Sequence, residues 1–169
     1  MLNQGNLPMR YSQIKQFSAN IIQVKVAKTW LSLLFLWVFL APQPAGAQAF
    51  NVDDHGVAVH GYDVVAYFQG KPLPGKSDLA YETEGAKFLF TTKANMEAFS
   101  AHPQAYLPQY RGYCAYGVRM GKKLDIDPEA YAIEGGKLYL MLNRATQQLW
   151  LDDKERNIYI ADEFWPDLQ

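Results

Sequence analysis

The sequence contains a single cysteine, Cys114, among its 169 residues. An intramolecular disulfide is therefore impossible, and a folded domain of this chain must be held together by packing. Also missing are any CxxC, HxxxH or HExxH spacing, a nucleophile elbow, a phosphate-binding loop and a dinucleotide-binding fingerprint. Without these motifs, the sequence carries no signature of a common enzyme class or of a local metal chelate.

Acidic residues are absent before Asp53, and no run of five like charges occurs anywhere. Residues 50–169 hold 12 basic and 17 acidic side chains, a net charge of −5. A protein that binds nucleic acid or an anionic membrane surface usually carries the opposite charge. We therefore expect neither as a partner of the folded part.

The longest apolar run, TWLSLLFLWVFLA at 29–41, is shorter than the roughly 20 residues that span a membrane. Lys25 and Lys28 precede it, and the small-residue patterns AGA (45–47) and AQA (47–49) follow. This order of a basic, an apolar and a small-residue region is typical of a signal peptide.

The sequence thus predicts a signal peptide over 1–49, cleaved near 47/48 or 49/50, and a mature domain over 50–169. No twin arginine precedes the apolar run, which favours Sec export to the periplasm or the medium. The membrane is then a partner only through an uncleaved signal segment.

The remaining composition, 49% hydrophobic and 14% aromatic, predicts a folded domain with an aromatic core. Alternation and capping residues predict, in the first half of the domain, a short strand at 57–59, a helix at 64–68 opened by Asp63 and a hairpin at 79–92 turning at Glu84-Gly85. A helix at 93–101 capped by Thr92 and a short helix from Pro103 follow. The second half is predicted to contain a turn at Asp127-Pro128, a hairpin at 131–141 turning at Gly135-Gly136, a helix capped by Asn143 and a last helix from 154 to 165.

This mixed order predicts a small, single α+β domain of short hairpins packed with short helices. No internal repeat is recognised in the sequence. Phe90, in the first hairpin, and Phe99, on the helix after it, are expected to share one core.

The segment AKFLFTTKANMEAFSAHPQAYLPQY (86–110) resembles the core of the YHS domain family. The shared pattern is a hairpin ending in aromatic-x-Phe, a short helix with an inward Phe, and then Pro and Tyr. With GYDVVAYF (61–68), QYRGYCAYGV (109–118) and DPEAYAIEGGKLYL (127–140), the match to exported, stand-alone members spans nearly all of 53–166.

The resemblance implies an α+β fold and a link to metal handling, because YHS domains occur beside heavy-metal transport ATPases. Family members that bind metal carry cysteines around the hairpin and the helix start. Here Thr91, Thr92 and Ala94 occupy that region, and the Tyr-His-Ser triplet is absent. That metal site is therefore not transferred to this chain.

Cys114 is the principal candidate site residue. As a thiolate it could bind a soft transition metal ion, Cu or Zn, with His60 and His102 as further candidate ligands, or it could act as a nucleophile. On a helical turn, Arg111 would lie near the thiol and favour the thiolate. The alternative is a buried, inert cysteine.

Five further residues are ligand-binding candidates, each with a structural alternative. Tyr110, Tyr113 and Tyr116 could line a small-molecule pocket or pack in the core. Arg111 could hold an anion or form a surface salt bridge. Asp63 could be a ligand or an N-cap.

Three functions follow: an exported, non-catalytic binding module for a metal ion or small ligand, a metal-free module that binds an envelope protein, and a Cys114-dependent enzyme.

Overall fold

The computed structural model describes residues 49–169, so the predicted signal peptide lies outside the described residues except for Ala49. This part of the chain forms two antiparallel hairpins and five α-helices, which confirms the predicted α+β class. The strands are β1 (Lys76–Thr83), β2 (Ala86–Phe90), β3 (Asp127–Glu134) and β4 (Lys137–Met141). The helices are α1 (Val64–Phe68), α2 (Lys93–Ala101), α3 (Ala115–Arg119), α4 (Arg144–Asp152) and α5 (Lys154–Phe164). None of the described helices is long and apolar enough to cross a membrane.

Local signals place most of these elements. The side chains of Asp63, Thr92 and Asn143 accept hydrogen bonds from the first turns of α1, α2 and α4, as an N-cap does. The hairpins turn at the two predicted dipeptides, Glu84-Gly85 and Gly135-Gly136, where all four residues have positive φ. Positive φ at both central residues matches the twist of a two-residue hairpin turn.

Two predictions of local structure are wrong, and one helix was not predicted. Asp127-Pro128 is not a turn but the start of β3, where the Asp127 carboxylate accepts a hydrogen bond from the Glu129 N–H at a register irregularity. The segment 57–59 forms isolated bridges to its neighbours and no strand. Helix α3 was not predicted, because the cysteine at its N-cap and the glycine at its centre are weak helix signals.

The described chain contains an internal repeat, so the expectation of no repeat is also wrong. Each element from the 3₁₀ turn at Val59–Gly61 to the end of α2 has a counterpart that begins or ends 51 residues later. Both hairpins share one strand register, including the irregularity after their first pair. We call 59–101 the first repeat and 110–152 the second repeat.

Few side chains are identical between the repeats, which explains why the sequence hides them. The glycines with positive φ are retained at Gly61 and Gly112 and at Gly70 and Gly121. The large core positions keep their character but not their identity: Phe99 in the first repeat corresponds to Trp150 in the second. Backbone conformation is therefore better preserved than sequence.

The core joins each hairpin to the helix after it. Phe90 and Phe99 are both fully buried, with ring centroids 5.2 Å apart, which confirms the predicted hairpin–helix contact. In the second repeat, Trp150 packs on Tyr139 at 5.2 Å. Both helices thus fix their hairpins through one large aromatic ring, and the loops between these units carry the candidate site residues.

Candidate functional site

Asp63 caps α1 from a fully buried position. Its carboxylate accepts five hydrogen bonds: from the N–H groups of Val65, Ala66 and Thr91, from the Thr91 hydroxyl and from the Asn95 amide. All five hydrogen bonds are donated to the two side-chain oxygens of Asp63. Asp63 therefore ties the start of α1 to the end of β2 and the first turn of α2, as expected of the capping alternative.

Cys114 occupies the same place in the second repeat. Its sulfur accepts hydrogen bonds from the N–H of Gly117, at 3.3 Å, and from the N–H of Leu142, at 3.2 Å. Leu142 is the counterpart of Thr91, so the thiol ties the start of α3 to the end of β4 as the carboxylate does for α1 and β2. The side chain is fully buried. These contacts support a structural role for Cys114.

The predicted helpers of Cys114 lie in other environments. Arg111 has positive φ, and its guanidinium pairs with Glu84 in the first repeat, so the expected contact with the thiol is not among its interactions. His60 pairs with Asp125, and His102 is exposed at the end of α2. Within 49–169, no three His, Cys, Asp or Glu side chains are arranged to hold a metal ion.

The buried sulfur leads to a first prediction, on alkylation. In the folded protein, Cys114 should react with iodoacetamide on the order of 10³-fold more slowly than in urea, because labelling must wait for an opening of the core. Mass spectrometry of timed samples measures both rates. A labelling rate of the folded protein within about tenfold of the rate in urea would show that the thiol is accessible. That result would contradict the structural role and support Cys114 as a metal ligand or nucleophile.

The three candidate tyrosines have different surroundings. Tyr110 is buried, and its hydroxyl donates a hydrogen bond to Asp162 at 2.8 Å. Burial, together with this hydrogen bond, raises the pKa of Tyr110 above its usual value, so the phenol stays neutral. Tyr113 lies near Trp165, whereas the ring of Tyr116 lies under the Arg119 guanidinium. Tyr110 is the only one of these three that lines a cleft also lined by Arg111.

That cleft, which we call the Arg111 cleft, has a volume of about 210 Å³. Arg111 stacks on the Phe50 ring, with 4.6 Å from its guanidinium carbon to the ring centroid, and pairs with Glu84. The Gln104 amide donates a second hydrogen bond to Glu84, at 3.1 Å. Trp165, edge-on to Tyr110 at 5.6 Å, forms the remaining aromatic wall.

The backbone at Tyr110-Arg111 sets this arrangement. Both residues have positive φ, 53° and 55°, which is uncommon for residues other than glycine. The equivalent pair of the first repeat, Val59-His60, has φ of 53° and 50°. The conformation therefore belongs to the repeat, and in each copy it directs a basic side chain outward to a carboxylate of the other copy.

These two crossed contacts are Arg111 with Glu84 and His60 with Asp125. The second contact also includes Asn51, whose amide donates to the same Asp125 oxygen at 2.9 Å. Partial burial opposes ionisation of Asp125, but the hydrogen bonds from His60 and Asn51 outweigh it and lower the pKa of Asp125. Ionised Asp125 therefore binds the N-terminal segment and the first repeat to the second.

The second prediction follows from this lowered pKa. Because the folded pKa of Asp125 lies below its unfolded value, its contribution to stability is present above about pH 4 and is lost as the pH falls further. Asp125 is 59% exposed, so we expect only about 0.5 kcal/mol. Denaturant titrations of wild type and Asp125→Asn should differ by this amount at pH 7, and the difference should shrink as the pH falls below about 4. A constant difference at every pH would show that the carboxylate charge is irrelevant.

Two other grooves are less suited to a small ligand. A groove of about 570 Å³ lies between Phe68 and the second hairpin, where Gln147 donates to the Tyr131 carbonyl and Glu134 pairs with Lys154. Gln147 and Glu134 are thus engaged by other protein groups. Among the described residues, no Phe, Tyr or Trp lines the groove of about 380 Å³ beside the first hairpin turn.

The sequence predicted two members of the Arg111 cleft, Tyr110 and Arg111, and missed Phe50, Glu84 and Trp165. These three come from distant parts of the chain, and no motif connects them. Comparison of the chain with protein-family models, curated proteins and solved structures gives no significant match. Membership of the YHS family therefore stays a prediction from the residues quoted above.

Proposed function

We propose that residues 50–169 form an exported, non-catalytic binding module of the YHS type that holds a small organic ligand in the Arg111 cleft. The observation that carries the proposal is the Arg111–Glu84 pair, which stands at a cleft bounded by Phe50, Tyr110 and Trp165. A few placed polar groups in a partly aromatic concavity are the usual composition of a ligand site.

The surroundings of Cys114 favour this function over the two that need a reactive thiol. The sulfur is buried and already accepts two backbone hydrogen bonds, so neither a soft metal ion nor a substrate can reach it without local unfolding. The small-ligand form of the binding hypothesis is therefore preferred to its metal form and to the cysteine-dependent enzyme.

Native mass spectrometry of protein recovered from the producing cells, without refolding, tests the proposal. We expect a bound organic molecule that is lost in Arg111→Lys. Lysine keeps the positive charge but lacks the planar guanidinium, with its several N–H donors and its stacking on the Phe50 ring. Arg144→Lys is the matched control, because Arg144 is exposed and lies outside this cleft.

Two results would contradict the small-ligand function. One is a mass equal to that of the chain alone for protein taken directly from cells. The other is stoichiometric Cu or Zn by elemental analysis, lost in Cys114→Ser, which would establish the metal alternative.

An exposed apolar surface favours the metal-free interaction module as a second candidate. Met120 is 56% exposed and Phe164 is 46% exposed, and the Phe164 ring lies beside Gly121. Exposed aromatic and methionine side chains are enriched at protein interfaces. In cells, site-specific crosslinks from position 120 to one envelope protein, abolished by Phe164→Asp, would support this function.

The third prediction concerns processing. Phe50 is only 3% exposed, and the N–H of Asn51 donates to the Arg111 carbonyl, so both residues pack as part of the folded domain. Intact-mass measurement of exported protein should give Gln48 or Phe50 as the first residue. A mature chain that starts after Asn51, or one that retains 29–41, would contradict the prediction.

A further inference from the structure

We propose that the Arg111 cleft binds a small zwitterion of the α-amino-acid type, with its carboxylate on Arg111, its ammonium group on Glu84 and its apolar side chain against Trp165. The inference rests on the small-ligand function proposed above and adds the chemical class of the ligand.

The charge of the cleft selects a zwitterion. Within residues 49–169, Arg111 and Glu84 are the only charged residues that line it, and their two charges cancel. A simple anion would be attracted by Arg111 and repelled by Glu84, and a simple cation would meet the reverse. A ligand that carries both charges a few bonds apart gains from both residues.

Both charged groups have hydrogen-bonding capacity left. Among the described residues, Arg111 makes one side-chain hydrogen bond, through Nη1 to Glu84, whereas a guanidinium offers five N–H donors. Glu84 accepts one hydrogen bond at each oxygen, from Arg111 and from Gln104, and a carboxylate has about four acceptor sites. Their side chains are 25% and 28% exposed, so a ligand can reach both.

The walls limit the rest of the ligand. Phe50 and Tyr110 are buried and form the floor, and half-buried Trp165 is the ring that stays accessible. The volume of about 210 Å³ lies below the roughly 300–1,000 Å³ of sites that take drug-sized molecules. A single amino acid with an apolar or aromatic side chain fits these limits, whereas a longer peptide does not.

Calorimetric titration of the exported protein with three probes tests the inference. The probes are phenylalanine, 3-phenylpropionate, which lacks the ammonium group, and phenethylamine, which lacks the carboxylate. Phenylalanine should bind at least about tenfold more tightly than either analogue. NMR shifts on phenylalanine addition should centre on Arg111, Glu84 and Trp165.

Glu84→Gln is the most discriminating variant, because glutamine keeps the shape of the Glu84 side chain and its amide oxygen can still accept the hydrogen bond from the Arg111 guanidinium. It should weaken phenylalanine binding by about tenfold and strengthen 3-phenylpropionate binding, since the repulsive charge is gone. Arg111→Lys should weaken both, and the control Arg144→Lys should weaken neither. Unchanged thermal midpoints verify that the variants are folded.

Two outcomes overturn the zwitterion and separate it from the proposed function. If 3-phenylpropionate or phenethylamine binds the cleft as tightly as phenylalanine, the ligand is not a zwitterion, and the small-ligand function stands. If no probe binds at concentrations up to about 10 mM, the amino-acid class is wrong. The native mass spectra then decide the function independently, because they detect a bound molecule of any class.

Discussion

Replacement of Asp63 by alanine is expected to lower the free energy of unfolding by about 3–5 kcal/mol, the largest loss we expect from a polar substitution. The change removes one buried carboxylate and leaves the N–H groups of Val65 and Thr91 without their acceptor. Each buried donor without an acceptor loses the hydrogen bond that it had with water in the unfolded chain. Chemical denaturation followed by circular dichroism measures the loss.

Asp63→Asn separates charge from shape. The amide has the size of the carboxylate, but its NH₂ group must face a donor, since every group around Asp63 donates. We therefore expect Asn to be nearly as destabilising as Ala. Asp54→Ala is the matched control, because Asp54 is exposed, and it should change stability by less than about 0.5 kcal/mol. A tolerated Asn would show that water or a rearranged amide satisfies the site.

Truncation of Phe99 to alanine should lower the free energy of unfolding by about 3–5 kcal/mol. The ring is fully buried and contacts the rings of Phe88 and Phe90, at centroid distances of 5.0 and 5.2 Å. Its removal leaves a cavity where α2 meets the first hairpin, and the surrounding rings fill such a cavity only in part.

Phe164→Ala is the control for this truncation. Phe164 is the same residue type at 46% exposure, so its loss should be below about 1 kcal/mol. Equal losses in the two variants would mean that α2 does not pack on the hairpin as described. The test also bears on the repeat, since Trp150→Ala removes the corresponding ring of the second copy and should be similarly destabilising.

The site residue that stands out in the sequence, Cys114, is not part of the cleft that the structure forms around Arg111. The sequence made Cys114 the principal candidate and left it open between a metal ligand, a nucleophile and a buried, inert cysteine, because a lone thiol among glycines and tyrosines carries the most distinctive chemistry in the segment. The internal repeat supports the structural alternative, since the counterpart of Cys114 is the N-cap Asp63, and each of the two side chains binds the corresponding two backbone segments of its own repeat. A single sequence cannot reveal this equivalence when the two residues differ.

The sequence by itself determined the local structure where one residue controls it. Asp63, Thr92 and Asn143 define helix starts because a side-chain oxygen three or fewer residues away satisfies the first N–H groups. Glycine defines the hairpin turns because it adopts positive φ without strain. These interactions are short in sequence, so their pattern can be read without the fold.

Only the tertiary structure decided the rest. The repeat, the burial of Cys114, the partner of Arg111 and the cleft around it all depend on contacts between residues far apart in the chain: Arg111 and Glu84 are 27 positions apart, and Tyr110 and Asp162 are 52 apart. Which of many possible partners such a side chain meets is set by how hairpins and helices pack. The chemistry of each residue was visible in the sequence, but its surroundings were not.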